Sequence, residues 1–239
     1  MTVNENVGAQ DWVTKLAVDR ERLDRGSAAE RVTEILRQRI TEGFFQPGAR
    51  LSEAALCSAL GVSRNTLREA FRLLGKDRLV AHELHRGVFV RVPAEADIVD
   101  LYRMRSIVEC GAVRDLRHPS QAQIEAVREP VRAGLRAAAE GDWRAVGTAD
   151  LRFHQALTAL AGSARLDELM RGMLAELRLI FHLMASPREF HEPYLARNEE
   201  IVGLIDAGEN QAAARVLAGY LADAERQLTE AARALAPSI

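Results

Sequence analysis

Residues 61–75 read GVSRNTLREAFRLLG. Leu67, Ala70 and Leu74 recur at helical spacing and mark an apolar stripe, while Arg64 and Arg68 stand one turn apart on another face. Gly61 closes the preceding segment and Ser63 is placed to cap this helix. Two arginines on the exposed face of so short a helix are either a solvated surface or a reading surface. The flanking sequence decides between them.

Upstream, AAERVTEILRQRITEGFF puts Val32, Ile35, Leu36 and Ile40 on one helical face. QPGARL then supplies a Pro-Gly turn and an extended stub. Ser52 is the N-cap expected for SEAALCSAL, with Glu53 in the first turn where the helix dipole favours it. Downstream, LVAHEL and GVFVRV are two short β-like runs joined by His85-Arg86-Gly87. Helix, helix, tight turn, helix, hairpin is a winged helix-turn-helix. From Glu30 to Arg91 the chain carries 11 Lys+Arg against 7 Asp+Glu, so this segment is basic although the whole chain has a net charge of −2.

Such a fold lays its second helix in the major groove with the N-terminal residues at base edges. Arg64 and Arg68 suit the O6/N7 edge of guanine and Asn65 suits adenine. Ser63 and Thr66 offer short hydroxyls to phosphates, and Arg86 and Gly87 at the wing tip let the backbone approach DNA closely. Double-stranded operator DNA is the partner this set implies.

Past Pro93 the pattern is helix after helix. The expected spans are EADIVDLYRMRSIVECGAVRDL, a segment capped by Ser120 and Gln123 and kinked at Pro130, then 142–161, 166–184 (stopped by Pro187), 192–207 and 210–234. The fold class is therefore mainly α: an N-terminal winged helix-turn-helix with a small β-hairpin wing, and a C-terminal all-α six-helix bundle. The expected domains are an N-terminal extension over 1–28, with a short amphipathic helix in VTKLAVDRERL, a DNA-binding domain over 29–93, and an effector-binding and dimerisation domain over 97–235. Cys57 and Cys110 are far apart and form no CxxC pair, which argues against a disulfide framework or a thiolate zinc site. No run approaches 18 apolar residues and the N-terminus has no apolar signal core, so a cytoplasmic protein without membrane contact is expected.

Within the bundle, polar residues recur on faces that should be buried. Arg105 and Glu109 lie at i, i+4 beside Leu101, Val108 and Ala112. Asp150 and His154 lie at i, i+4 among Val146, Phe153 and Leu157. Asn198 shares a face with Ile201, Val202 and Ile205, and Tyr220 lies between Val216 and Ala224. Four helices each placing such a residue inward point to a polar cavity at the bundle's centre, since an unsatisfied buried polar group is costly. Arg105 is the expected anchor of a small carboxylate effector, with Asn198 and Tyr220 as polar partners; neutralisation of Arg105 by Glu109 is the competing structural explanation.

The first half resembles the DNA-binding domain of GntR-family bacterial transcription regulators through PGARLSE, LGVSRNTLREA and RGVFV. That resemblance implies dimers on a palindromic operator and DNA contacts at Ser63, Arg64, Thr66, Arg68 and the Arg86-Gly87 wing. The second half resembles the ligand-binding domain of the FadR subgroup through LYRMRSIVE, DLRFHQAL and IVGLIDAGENQAAARVL. Most members of that subgroup hold a divalent metal such as zinc with one Asp and three His, and bind an organic carboxylate against it. Here Asp150 and His154 keep the Asp-x-x-x-His element, while an ungapped alignment sets Asn198 and Tyr220 at the other two histidine positions. The ligand set is thus incomplete, so a metal is doubtful, with His182 the nearby candidate to compensate. The function expected is a ligand-responsive transcription regulator. The alternatives are a helical-bundle metalloenzyme built on Asp150 and His154 with an accessory DNA-binding-like domain, and an architectural DNA binder without effector.

Overall fold

A computed structural model describes residues 27–117 and 119–235, and the chain divides into two compact units between Val92 and Pro93. The short helix expected within 13–23 lies outside the described residues.

Among the described residues the first unit is a three-helix, three-strand module. Helix α1 spans Ala28–Thr41 and opens on a capping box between Ser27 and Glu30. Val32, Ile35, Leu36 and Ile40 are its buried face, as their spacing requires. The stub β1 (Arg50–Leu51) leads into α2 (Glu53–Leu60), capped by Ser52. Gly61 ends α2 at φ 65°, a left-handed conformation that a side chain would strain. Helix α3 follows over Arg64–Lys76, burying Leu67, Ala70, Phe71 and Leu74. Strands β2 (Val80–Glu83) and β3 (Gly87–Val90) form the hairpin. The sheet has three strands rather than the two the hairpin alone provides. Its order is β1-β3-β2, antiparallel throughout, with Arg50 opposite Phe89 and Val80 opposite Val90.

The second unit is six helices: α4 (Glu95–Arg114), α5 (Gln121–Ala139), α6 (Trp143–Ala159), α7 (Ala164–Phe181), α8 (Pro187–Asp206) and α9 (Asn210–Leu235). Helix α4 packs along α9, α5 along α6 and α8, and α6 also meets α7. Their inner faces form one core that includes Ile98, Phe153, Leu157, Leu174, Leu177, Ile201, Leu217 and Leu228. Helix α5 runs on through Pro130.

Pro187 has the opposite role from the one expected of it. Helix α7 ends at Phe181, Ser186 caps the next helix through the Glu189 amide, and Pro187 opens α8 five residues before the expected start at 192. At a helix's first position the missing N–H of proline is no loss, because that group has no intrahelical partner anyway.

Candidate functional site

In the first unit the turn between α2 and α3 presents the start of α3. Ser63, Arg64, Asn65 and Arg68 are exposed and Thr66 is half-buried, while Leu67, Ala70, Phe71 and Leu74 anchor the helix in the core. The Ser63 hydroxyl is committed locally: it accepts from the Thr66 amide at 3.1 Å and lies 2.8 Å from the Thr66 hydroxyl. Arg68 donates through Nε to both carboxylate oxygens of Glu53 at 3.2 Å. At the wing, Arg86 pairs with Glu83 and stands over the Phe89 ring at 5.4 Å. Gly87 is at φ 109°, and a Cβ there would meet the Arg50 guanidinium at 3.6 Å. These ion pairs are solvent-exposed, so each holds its arginine only weakly.

In the second unit the structure brings all six residues expected of an effector site into one buried cluster. Arg105, Glu109, Asp150, His154, Asn198 and Tyr220 are each at most 7% exposed, and they come from four helices. Arg105 donates through Nε to Glu109 Oε1 at 2.6 Å. The other Glu109 oxygen lies 2.6 Å from His154 Nδ1. A carboxylate only accepts, so that nitrogen carries the proton. Asp150 Oδ1 accepts from the Tyr220 hydroxyl at 2.8 Å and the Asn198 amide at 3.1 Å. Arg105 lies over the Tyr102 ring at 4.8 Å.

The electrostatics follow from this arrangement. Burial opposes the charge on Arg105, but Glu109 offsets it and carries the guanidinium above its ordinary pKa. Burial likewise disfavours ionised Glu109, yet Arg105 and His154 hold its carboxyl below the usual range. Burial, then Asp150, push the Tyr220 hydroxyl well above its ordinary value, so it is a neutral donor. Arg105 is therefore already neutralised by Glu109, four residues along the same helix. Asn198 and Tyr220, expected to face a ligand, hold Asp150 instead. Three buried atoms of the cluster remain without a hydrogen-bond partner: Arg105 Nη2, His154 Nε2 and Asn198 Oδ1.

A divalent ion does not fit this centre. Among the described residues no group of three or more His, Cys, Asp or Glu side chains stands close enough to hold one. His154 Nε2 is 3.9 Å from Asp150 Oδ1, and the remaining donors to that oxygen are an amide nitrogen and a neutral phenol. His182 does not complete the set. It is half-buried at the end of α7, where Arg178 and Arg144 are the charges that bear on it.

Arg178 and His191 are buried polar residues that the sequence reading did not single out; each is 4% exposed. Arg178 donates to the Thr148 hydroxyl at 3.2 Å and the Arg144 carbonyl at 3.4 Å. The available signal was Arg178 itself, an arginine inside the run LAELRLIF, whose apolar neighbours are buried on every side of α7.

A helix-turn-helix with an arginine-rich reading helix and a wing, followed by a helical bundle with an internal polar centre, defines a DNA-binding transcription regulator. Comparison with known proteins agrees unit by unit. Residues 28–90 match the model of bacterial regulatory proteins of the gntR family, and residues 100–223 match the FCD domain. The chain belongs to the GntR family of bacterial transcription regulators and carries an FCD domain as its second unit. It is 27% identical to the galactonate operon transcriptional repressor of Escherichia coli, over 84% of this chain and 96% of that protein. It is 30% identical to the Nta operon transcriptional regulator of Aminobacter aminovorans, over 73% and 82% of the two chains. A crystal structure of a GntR-type transcriptional regulator from Rhodococcus sp. RHA1 is 50% identical, with a TM-score of 0.78 over 85% of this chain and 98% of that one. These relatives are named as transcription regulators rather than enzymes.

Proposed function

We propose that the chain is a cytoplasmic, effector-responsive regulator of the FadR subgroup that binds a palindromic operator as a homodimer. The observation that carries this reading is the presentation of Arg64, Asn65 and Arg68 on the open side of α3, opposite the buried stripe of Leu67, Ala70, Phe71 and Leu74. Arg64 and Arg68 read guanine edges, Asn65 reads adenine, Ser63 and Thr66 meet phosphates, and Arg86 with Gly87 enter beside the wing. One such module reads only a half-site, and two are needed for half-sites about 34 Å apart. Met104 and Ile107, exposed apolar residues on α4, support the bundle as the surface that joins the two copies.

The cluster of Arg105, Glu109, Asp150, His154, Asn198 and Tyr220 is the centre through which a small molecule acts. Its unpartnered Arg105 Nη2, His154 Nε2 and Asn198 Oδ1 are the contacts it offers. The name of the E. coli relative, a galactonate operon repressor, supports a small organic acid as effector. Binding there shifts the dimer between operator-competent and incompetent arrangements. The test is selection of duplexes from a random pool by the wild-type protein, followed by gel-shift titration against the selected and a scrambled duplex. Arg64→Ala and Arg68→Ala are each expected to lose about 1–3 kcal/mol of discrimination, the value of a bidentate base contact. Undiminished discrimination in both variants would refute the assignment of α3 as the reading helix.

A further inference from the structure

Two guanidinium groups gather on the outer face of β3. Val88 and Val90 are its buried residues, so Gly87 and Phe89, which alternate with them, lie on the solvent side. Arg50 on β1 stands directly opposite Phe89 and is exposed. Its side chain runs along this face towards the wing: a Cβ at Gly87 would lie 3.6 Å from Arg50 Nε and 3.8 Å from Nη2. The guanidinium therefore rests against a backbone that carries no side chain. Glycine is also what the φ of 109° at Gly87 demands. Arg86, one residue earlier and also exposed, stands over the Phe89 ring at 5.4 Å. The two arginines differ in one respect. Arg86 pairs with Glu83, whereas Arg50 makes no hydrogen bond or ion pair with the described residues.

Two cations and one carboxylate on the same strand face leave a net positive charge beside the wing tip. The other strand of the hairpin, β2, packs on α3, so this charge flanks the reading helix. With α3 in the major groove, the wall of that groove is the phosphate backbone, and a guanidinium meets phosphate oxygens through two parallel N–H donors. We propose that Arg50 is a DNA-backbone contact, which with Arg86 forms a phosphate clamp around Gly87. The inference rests on the reading of the first unit as the DNA-binding surface. It adds a residue from β1, outside both the helix-turn-helix and the wing turn. Because Arg50 starts without a partner, it neutralises a phosphate without first giving up a carboxylate. Its contribution is to affinity for any sequence, while α3 supplies the choice among sequences. The competing role for Arg50 is structural, shielding Phe89, which is half-buried beside it.

The experiment measures the affinity of the full chain for the selected and the scrambled duplex by fluorescence anisotropy over a series of salt concentrations. Arg50→Gln is expected to weaken both complexes by the same factor and to lower the slope of log K against log salt by about 0.9. Its deficit against wild type should accordingly shrink about 3.5-fold on going from about 50 to 200 mM salt. Arg50→Lys keeps the charge and is expected to keep the wild-type slope. An unchanged slope in Arg50→Gln overturns the clamp, and so does a loss confined to the selected duplex. Lowered thermal stability of Arg50→Gln with a wild-type slope assigns Arg50 to the shielding of Phe89 and also overturns it. The α3 variants separate the two readings. A reduced Arg50→Gln slope, with discrimination intact in Arg64→Ala and Arg68→Ala, supports the clamp and removes α3 as the reader. Discrimination lost in those two variants, with the Arg50→Gln slope unchanged, leaves α3 as the reader and overturns the clamp.

Discussion

Glu109→Gln tests the buried centre most directly. Glu109 is wholly buried, and its two oxygens lie 2.6 Å from Arg105 Nε and 2.6 Å from His154 Nδ1. The substitution keeps the shape but removes the charge, leaving the Arg105 guanidinium, 1% exposed, without its counter-ion. Breaking one partner of a buried pair costs about 3–5 kcal/mol. For a domain of this size each kcal/mol moves the midpoint by roughly 2–4 °C, so the second unit is expected to melt on the order of 10 °C lower. The double variant Arg105→Leu/Glu109→Leu removes both charges together and is expected to recover most of that loss. The pH dependence has a definite sign. Glu109 is held below the usual carboxylate range, so its contribution is fully present above the unfolded value of about 4.3 and is lost as pH falls through the lower folded value. The stability gap between the wild type and Glu109→Gln should therefore close on acidification. Urea denaturation of the wild type, the Gln variant and the double Leu variant from pH 8 down to about pH 2 measures all of this. A Gln variant within about 1 kcal/mol of wild type at pH 7, or a double variant no better than the single, would show that Arg105 and Glu109 do not balance each other's charge.

Gly61→Ala forces a side chain into the left-handed region at φ 65° and is expected to cost about 1–2 kcal/mol, with Gly61→Asn milder, read by thermal melting. Metal analysis of protein purified without chelator should find no stoichiometric divalent ion, and EDTA should leave the melting temperature unchanged. A tightly held ion at one per chain would hand the centre to Asp150 and His154. Light scattering at micromolar concentration should report a dimer, and a monomer both with and without DNA would contradict the palindrome reading.

The described part of the first unit was largely legible in the sequence, because its elements are set by local signals. Ser52, Ser63 and Gly61 fix helix ends within a few residues of themselves, and the stripes of α1 and α3 name their own buried faces. The pairing of Arg50 with Phe89 was not legible, since a two-residue strand carries no periodicity and its partner is 39 positions away. In the second unit the six polar residues on apolar faces did converge, but helical spacing says only that a side chain points inward. It does not say which neighbour it meets, and so Asn198 and Tyr220 were expected at a ligand rather than on Asp150. Arg178 and His191 lie on two helices packed about Gly147. Only the tertiary packing makes the missing Cβ between them visible.

Under the DNA contacts proposed above, the carboxylate of Glu53 on Arg68, and that of Glu83 on Arg86, have a thermodynamic consequence for searching along DNA. An arginine that approaches the duplex already paired exchanges one anion for another, and so releases fewer condensed cations than a bare one. On that reading the chain carries its own competitor for these two positions, to be displaced where DNA offers acceptors in its place. Affinity for arbitrary sequence is then expected to be held down more than affinity for the correct half-site. Replacing Glu53 with Ala should then tighten binding to scrambled DNA and steepen its dependence on salt, trading selectivity for grip.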